Sequence, residues 1–256
     1  MLLKGMKSGV IIKGLFINYH VLNKEGQTKL VFLHGWRSNG LAFQKAAETL
    51  ASEDFAVYCP DLPGFGESDM PAGSFSISDY RDIVSEFIEK AGIKGCVVIG
   101  HSFGGRVAIR LLSGNPEIAK KLVLIDSAGF PSRRKKKAWA FFAKIVRPLF
   151  SLKLMSGARK SIYRLIGAED YVATPELKET FVNIVDEDLT GYLSSISQPT
   201  LIVWGENDKE TPVEFARKMG DMIPDSSVKI IKNAGHFSFL DDPQEFNRLI
   251  IEFLKK

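Results

Sequence analysis

Short apolar runs alternate with longer segments of helical periodicity along most of the chain. The short runs are rich in Val, Ile and Leu and are apolar on both faces, which is typical of the central strands of a parallel sheet. We predict strands at 10–19 with residue 22 (a two-stranded start), 30–34, 56–60, 96–100, 122–125, 201–205 and 228–231. The pattern therefore indicates an α/β fold.

Helical periodicity separates these strands. It is found at 41–50, 76–91, 103–112 and 243–253. Ser76 and Asp79 have the spacing of a capping box, and Pro243 stands at a first-turn position. We expect each helix to pack its apolar face on the sheet.

One long segment interrupts the alternation of strands and helices. Residues 131–198 have helical rather than strand patterning, and their charge is positive early and negative late. We therefore predict a core formed by residues 1–130 and 199–256, with residues 131–198 inserted as a helical cap.

The composition fits one large globular unit with an insertion. The chain has 256 residues, of which 45% are hydrophobic and 25% charged, with a net charge of +4. Eleven Lys and Arg and no Asp or Glu lie between Ser127 and Ala168, and five of them form the run Arg133 to Lys137. Because this charge is local and no nucleic-acid recognition module accompanies it, we expect no nucleic-acid partner.

The sequence also bears on the compartment. Lys4, Lys7 and Lys13 interrupt the first residues, so we expect no signal peptide, and no apolar stretch reaches membrane-spanning length. Cys59 and Cys96 each lie in an apolar strand-like run, which favours two buried free thiols over a disulfide or a metal site. We expect a cytoplasmic protein.

The segment after the strand 96–100 has the G-x-S-x-G pattern of a nucleophile elbow. Ser102 would stand on a sharp turn from strand to helix, where Gly100 and Gly104 allow the two backbones to approach closely. The same turn would direct the backbone N–H of Phe103 toward a developing oxyanion. The sequence therefore predicts Ser102 as a nucleophile.

A serine nucleophile needs a base, and histidine has a suitable unperturbed pKa of about 6.5. Of the four histidines, His20 lies in the first strand pair, His34 ends a strand, and His101 would point away from Ser102 in an elbow. His236 follows the last strand on a loop and comes third in the chain order Ser, Asp, His. We predict His236 as the base.

The acid that orients this histidine should follow the strand at 201–205. Asp208 lies in that loop and has enough chain to reach a histidine on the next loop. Glu206, closer to the strand, and Asp126, at the end of the preceding strand, remain rivals. We favour Asp208, since Glu206 is expected to face solvent.

A second oxyanion donor is predicted in the loop after the strand at 30–34. The backbone N–H of Trp36 is the candidate, and Gly35 would let the chain turn back over Ser102. The Pro/Gly-rich loop at 61–68 is expected to shape the edge of the sheet without taking part in chemistry.

Several motifs occur together in one order along the chain. They are His34-Gly35-Trp36, Asp61-x-Pro-Gly-x-Gly-x-Ser68, Gly100-x-Ser102-x-Gly104-Gly105, Gly205-x-x-Asp208-x-x-x-Pro212 and Gly235-His236. On these motifs the chain resembles the α/β-hydrolase family of serine hydrolases with a helical cap. The resemblance implies an eight-stranded, mostly parallel sheet flanked by helices, with Ser102, His236 and Asp208 as triad and the Trp36 and Phe103 amides as oxyanion hole.

Two further stretches are similar to the biotin-pathway carboxylesterases that cleave pimeloyl methyl ester on an acyl carrier protein. These are Leu33-His-Gly-Trp36 with Asn39, and Asp61-Leu-Pro-Gly-Phe-Gly66. We therefore expect a carboxylesterase for a small or medium-chain acyl ester or thioester, without metal or organic cofactor. A C–C bond hydrolase, an aminopeptidase and a slow-turnover ligand receptor stay open, because all of them fit the same fold and triad.

The sequence does not determine what the predicted cap at 131–198 contacts. Residues 138–150 combine bulky apolar side chains with flanking cations. This segment could roof an acyl pocket with its cations in solvent, dock an acidic partner such as an acyl carrier protein, or lie on anionic lipid.

Overall fold

The structure is a computed structural model, and it describes residues 6–130 and 175–256. Eight strands form one sheet. They are β1 (Met6–Ile12), β2 (Leu15–Leu22), β3 (Thr28–Leu33), β4 (Phe55–Pro60), β5 (Cys96–His101), β6 (Ala119–Ile125), β7 (Thr200–Gly205) and β8 (Ser226–Ile231).

The strands lie in the order β1-β2-β4-β3-β5-β6-β7-β8. The pairs β1/β2 and β2/β4 are antiparallel, and every pair from β4 to β8 is parallel. The prediction of an eight-stranded, mostly parallel sheet is confirmed. In the parallel part, the carboxyl ends of the strands meet at one edge, where ligands bind in open α/β sheets.

Eight α-helices accompany the sheet within the described residues. They are α1 (Gln44–Ser52), α2 (Ile77–Lys90), α3 (Phe103–Gly114), α4 (Lys178–Asp186), α5 (Thr190–Leu193), α6 (Glu214–Met222), α7 (Ser238–Asp241) and α8 (Pro243–Leu254). Ser76 caps α2 through the predicted capping box with Asp79. Helix α1 begins later than predicted, because residues Gly40–Phe43 form a 3-10 turn first.

Both faces of the sheet are covered by apolar side chains. One face packs against α2, α3 and α6, with Tyr80 and Trp204 fully buried in its core. The other packs against α1, α7 and α8, where Phe43 and Phe246 are buried. This double burial explains why the central strands are apolar on both sides.

Part of the predicted cap lies among the described residues. Helices α4 and α5 fall between β6 and β7, and the return of the chain is fixed by a 3.0 Å hydrogen bond from Leu189 N–H to Gly129 C=O. Thr180 of α4 accepts a 2.9 Å hydrogen bond from Phe75 N–H of the core. The Arg133 to Lys137 run and the aromatic segment 138–150 lie outside the described residues, and the 131–198 cap stays a prediction.

Two findings on the described residues concern the cysteines and the membrane. Cys59 and Cys96 are free and buried, and burial raises the pKa of both thiols, that of Cys96 to about 12. No helix of residues 6–130 and 175–256 is long and apolar enough to span a bilayer.

Candidate active site

The predicted elbow lies between β5 and α3. Ser102 has φ 50° and ψ −109°, in the left-handed half of backbone space that a non-glycine residue occupies only under strain. A Cβ on Gly100 would lie 2.5 Å from Gly104 C=O, and a Cβ on Gly104 would lie 2.0 Å from Leu33 C=O. The glycines are therefore required by the close approach of strand and helix, as the sequence predicts.

The structure brings Ser102, His236 and Asp208 together from three separate loops. His236 Nε2 lies 3.0 Å from Ser102 Oγ, and His236 Nδ1 lies 2.8 Å from Asp208 Oδ2. These are hydrogen-bonding distances, so the three side chains form one continuous chain of hydrogen bonds.

Asp208 is held from both of its oxygens. Oδ1 accepts hydrogen bonds from the backbone N–H groups of Glu210 (2.8 Å) and Thr211 (3.0 Å). Oδ2 accepts one from the Thr211 hydroxyl (2.6 Å) besides that of His236. Burial acts to raise the pKa of Asp208, but these hydrogen bonds and the charge of His236 outweigh it and lower the pKa. Asp208 is thus ionised at neutral pH.

His236 experiences the opposite balance. Burial acts to lower its pKa, and the hydrogen bond and charge of Asp208, with smaller contributions from Glu210 and Asp126, raise it above the ordinary value. The exposed carboxylate of Glu210 lies 3.5 Å from His236 Nε2. A raised pKa stabilises the protonated imidazole that a general base becomes during reaction.

Neither rival acid bonds to His236. The Glu206 carboxylate faces solvent, as expected, and accepts a 3.1 Å hydrogen bond from Asn233 N–H. The Asp126 carboxylate is fully buried and accepts hydrogen bonds from Gly205 N–H (2.7 Å) and from the Ser238 side chain (2.5 Å). Of the three candidates, Asp208 is therefore the carboxylate that bonds to His236 Nδ1 in this structure.

Two other histidines, His34 and His101, are buried and form hydrogen bonds with backbone groups. His34 Nδ1 donates to Gly35 C=O (2.8 Å) and Nε2 accepts from Leu62 N–H (2.9 Å), while burial lowers its pKa to about 4. His101 Nε2 donates to His236 C=O (2.8 Å), and burial lowers its pKa to about 3. Both rings are neutral at pH 7, and neither bonds to the Ser102 hydroxyl.

The two predicted oxyanion donors are unengaged in the described part of the chain. Within residues 6–130 and 175–256, neither Trp36 N–H nor Phe103 N–H donates a hydrogen bond. The chain at Gly35 passes close to Ser102, since a Cβ there would lie 3.5 Å from Ser102 Cβ. The Trp36 ring packs against Phe103 (ring centroids 5.4 Å apart) and against Phe181 of α4 (5.2 Å).

Two polar residues of the site were not predicted from the sequence. Thr211 bonds to Asp208, and Ser238 bonds to Asp126. Thr211 comes three residues after Asp208, which is the spacing of a local turn closed by a side-chain-to-backbone hydrogen bond. The sequence therefore contains a weak indication of this contact. The contact of Ser238 with Asp126 spans 112 residues of chain and leaves no local signal.

No group of three His, Cys, Asp or Glu among the described residues is arranged to hold a metal ion. The available chemistry is that of a hydroxyl, an imidazole, a carboxylate and two amide N–H groups, the groups used for acyl transfer.

A profile of the alpha/beta hydrolase family matches residues 30–249. The chain belongs to the α/β-hydrolase family. The match covers the strands and loops that carry Ser102, Asp208 and His236, and with esterases among its relatives the chain is a hydrolase enzyme.

Similar proteins differ in what they act on. A pimeloyl-[acyl-carrier protein] methyl ester esterase of Proteus mirabilis is 25% identical over 249 residues, 89% of this chain and 93% of the esterase. A 2-hydroxy-6-oxononadienedioate/2-hydroxy-6-oxononatrienedioate hydrolase of Pseudomonas sp is 23% identical over 252 residues, 90% and 89% of the two chains. A membrane phospholipase A of known structure has a TM-score of 0.82 at 25% identity, covering 99% of this chain and 87% of that one. The predicted similarity to pimeloyl-ester esterases is confirmed.

Proposed function

We propose that this α/β hydrolase is a serine carboxylesterase that cleaves a small or medium-chain acyl ester or thioester through an acyl-enzyme. The observation that carries the proposal is the continuous chain from Ser102 Oγ through His236 (3.0 Å) to Asp208 (2.8 Å). A serine hydroxyl with a histidine and a carboxylate in series is the arrangement that activates an oxygen nucleophile at neutral pH.

In the first half of the proposed reaction, Ser102 Oγ attacks the acyl carbon and its proton passes to His236 Nε2. Asp208 keeps the other ring proton on Nδ1 and stabilises the imidazolium. The amides of Trp36 and Phe103 bind the oxyanion of the tetrahedral intermediate. Both N–H groups are free of partners among the described residues, Phe103 directly follows Ser102, and the chain before Trp36 passes close to Ser102 at Gly35. The leaving alcohol or thiol then takes the proton from Nε2.

In the second half, a water molecule loses its proton to His236 Nε2 and attacks the acyl-enzyme ester. Collapse of the second tetrahedral intermediate returns the proton to Ser102 Oγ and releases the carboxylic acid. These steps need no metal and no organic cofactor.

The leaving group and acyl chain are proposed from the relatives. An esterase that acts on a pimeloyl ester of acyl carrier protein is 25% identical to this chain, and an acidic carrier would suit the basic run from Arg133 to Lys137. We therefore propose an acyl group presented by an acidic carrier protein as one substrate class, with the insertion at 131–198 as the cap that contacts it. The cytoplasm is the compartment proposed for this reaction.

A fluorophosphonate probe tests the nucleophile directly. We expect covalent labelling at Ser102, loss of labelling in Ser102→Ala and severe loss in His236→Ala, each located by peptide mass spectrometry. Ser113→Ala is the matched control. Ser113 lies on α3, the helix that directly follows Ser102, and its hydroxyl donates to Arg110 C=O, away from the triad. Labelling at a serine other than Ser102, or none in the wild type, would contradict the proposal.

A C–C bond hydrolase is the second candidate, because the Pseudomonas relative carries the name of an oxo-dienedioate hydrolase. A panel of acyl esters, acyl thioesters, amino-acid amides and vinylogous diketones separates the candidates. Turnover of esters and thioesters that disappears in Ser102→Ala supports the esterase. Turnover of the diketones alone supports the second candidate.

A further inference from the structure

Asp126 is a buried carboxyl group that the proposed triad does not use. It directly follows β6, has φ 44° and is fully buried. A buried carboxylate and a strained backbone both carry an energetic cost, so their presence beside a reaction site calls for a role.

The Asp126 carboxylate joins two loops of the site. Its Oδ1 accepts a 2.7 Å hydrogen bond from Gly205 N–H, at the point where β7 ends and the loop carrying Asp208 begins. Its Oδ2 accepts from Ser238 N–H (3.2 Å) and from Ser238 Oγ (2.5 Å), at the point where the loop carrying His236 ends and α7 begins. One carboxylate therefore ties the acid loop to the histidine loop.

The backbone of Asp126 adds a third connection. Its C=O lies 3.0 Å from Thr211 Oγ1, and Thr211 N–H in turn bonds to Asp208 Oδ1 (3.0 Å). The loop 206–211 is thus hydrogen-bonded to Asp126 where it begins, at Gly205, and lies against Asp126 where it ends, at Thr211. Among the hydrogen bonds of residues 6–130 and 175–256, none joins Asp126 to Ser102, His236 or Asp208.

We propose that Asp126 is a positioning residue of the hydrolytic site, whose carboxylate fixes the separation of the loops that carry Asp208 and His236. This inference rests on the proposed function of the triad. Proton transfer depends on distances such as the 2.8 Å between His236 Nδ1 and Asp208 Oδ2, so the loops that set them must be fixed to a fraction of an ångström.

The charge of Asp126 adds an electrostatic component. Burial raises the pKa of Asp126 to about 7, against the hydrogen bonds from Ser238 and Gly205, which lower it. The groups that face it electrostatically are Asp208, which raises its pKa, and His236, which lowers it. The interaction is mutual, because the Asp126 charge helps to raise the pKa of His236.

Asp126→Asn tests the inference with little change of volume. An asparagine has one acceptor oxygen, so either Gly205 N–H or Ser238 N–H loses its acceptor and the two loops are no longer held together. We expect fluorophosphonate labelling of Ser102 and kcat on a short ester to fall on the order of 10²-fold with KM nearly unchanged. The acidic limb of the kcat/KM profile should move slightly to lower pH, because Asp126 is the smallest of the groups that raise the pKa of His236 and is itself partly protonated below pH 7.

Thr200→Val is the matched control. Thr200 is buried at the opposite end of β7, where its hydroxyl donates to Gln198 C=O (2.8 Å). Its loss should lower Tm without changing the labelling rate or the acidic limb. Ser238→Ala, which keeps the N–H bond to Asp126, should slow labelling by about tenfold and serves as the deciding variant if Asp126→Asn does not fold.

The outcomes separate this inference from the proposed function. Slow labelling in Asp126→Asn or Ser238→Ala, together with a shifted acidic limb in Asp126→Asn and neither change in Thr200→Val, supports it. A wild type that is labelled at Ser102, with a folded Asp126→Asn labelled equally fast, overturns the positioning role alone; if Asp126→Asn does not fold, a Ser238→Ala variant labelled equally fast does so. An unlabelled wild type overturns the proposed function and this inference together.

Discussion

The Asp208→Asn change exchanges one acceptor oxygen of the acid for an NH₂ group and leaves the size of the side chain unchanged. Asp208 Oδ1 accepts from the backbone N–H groups of Glu210 (2.8 Å) and Thr211 (3.0 Å). An asparagine keeps its oxygen there, because an amide nitrogen would face two donors. Its NH₂ group must then take the place of Oδ2, which lies 2.8 Å from His236 Nδ1.

This placement changes where the imidazole carries its proton. An NH₂ group facing Nδ1 requires Nδ1 to accept, so the ring proton moves to Nε2, which faces Ser102 Oγ at 3.0 Å. A protonated Nε2 cannot take the proton of the attacking hydroxyl. We expect kcat to fall about 10⁴-fold, which corresponds to about 5 kcal/mol of transition-state stabilisation.

The assay is steady-state hydrolysis of a short p-nitrophenyl ester, with Tm and far-UV circular dichroism to verify the fold. Glu206→Gln is the matched control, because it also removes one negative charge from the same loop while its exposed carboxylate bonds only to Asn233 N–H among the described residues. That variant should keep kcat within a few-fold. A folded Asp208→Asn enzyme with kcat within tenfold of wild type, or an equal loss in Glu206→Gln, would refute the reasoning.

Three further changes test other parts of the structure. Gly104→Ala places a Cβ 2.0 Å from Leu33 C=O, so denaturant unfolding should show a loss of about 3 kcal/mol; unchanged stability contradicts the tight elbow. His34 has a folded pKa of about 4 against 6.5 unfolded, so the unfolded chain binds the extra proton and stability falls as pH drops from 6.5 to 4. In His34→Gln, the slope of unfolding free energy against pH should decrease by up to about 1.4 kcal/mol per unit, and an unaltered slope contradicts the assignment. Changing Arg133 to Lys137 all to Gln should leave short-ester kcat within a few-fold but lower kcat/KM on an acidic carrier, most at low salt; equal rates at every salt concentration contradict carrier docking.

Much of the fold is predictable because the central strands are buried on both faces. Segments such as 96–100 and 201–205 are continuous apolar runs, and the structure places them as β5 and β7 with every residue buried. Helix α6 is different. It is not among the predicted helices, although its nine residues carry apolar side chains at helical spacing, with Ala216 and Met219 buried.

The parts of the candidate site that depend on chain order and on local turns are predictable from the sequence. The elbow at Ser102 is predictable from the local sequence. The strand and helix backbones approach each other closely at Gly100 and Gly104, so glycines are needed at a fixed spacing around the serine. Asp208 and Glu206 lie in one loop, so the sequence favours Asp208 only by its reach; the structure shows Glu206 bonded to Asn233 N–H instead of His236. The pairing of Asp126 with Ser238 is a contact between distant segments and has no sequence pattern.

The sheet order explains why a residue after β6 can serve both loops. Strand β6 lies between β5, which carries Ser102, and β7, which leads to Asp208, and all three are parallel. A side chain at its carboxyl end therefore lies beside the acid loop, and it meets the histidine loop where that loop returns over the same edge at Ser238. A change at Asp208 acts on the position of a proton, whereas a change at Asp126 acts on the distance between two loops. The two variants should accordingly differ in kind as well as in size, with a shifted acidic limb in Asp126→Asn and the larger loss of kcat in Asp208→Asn.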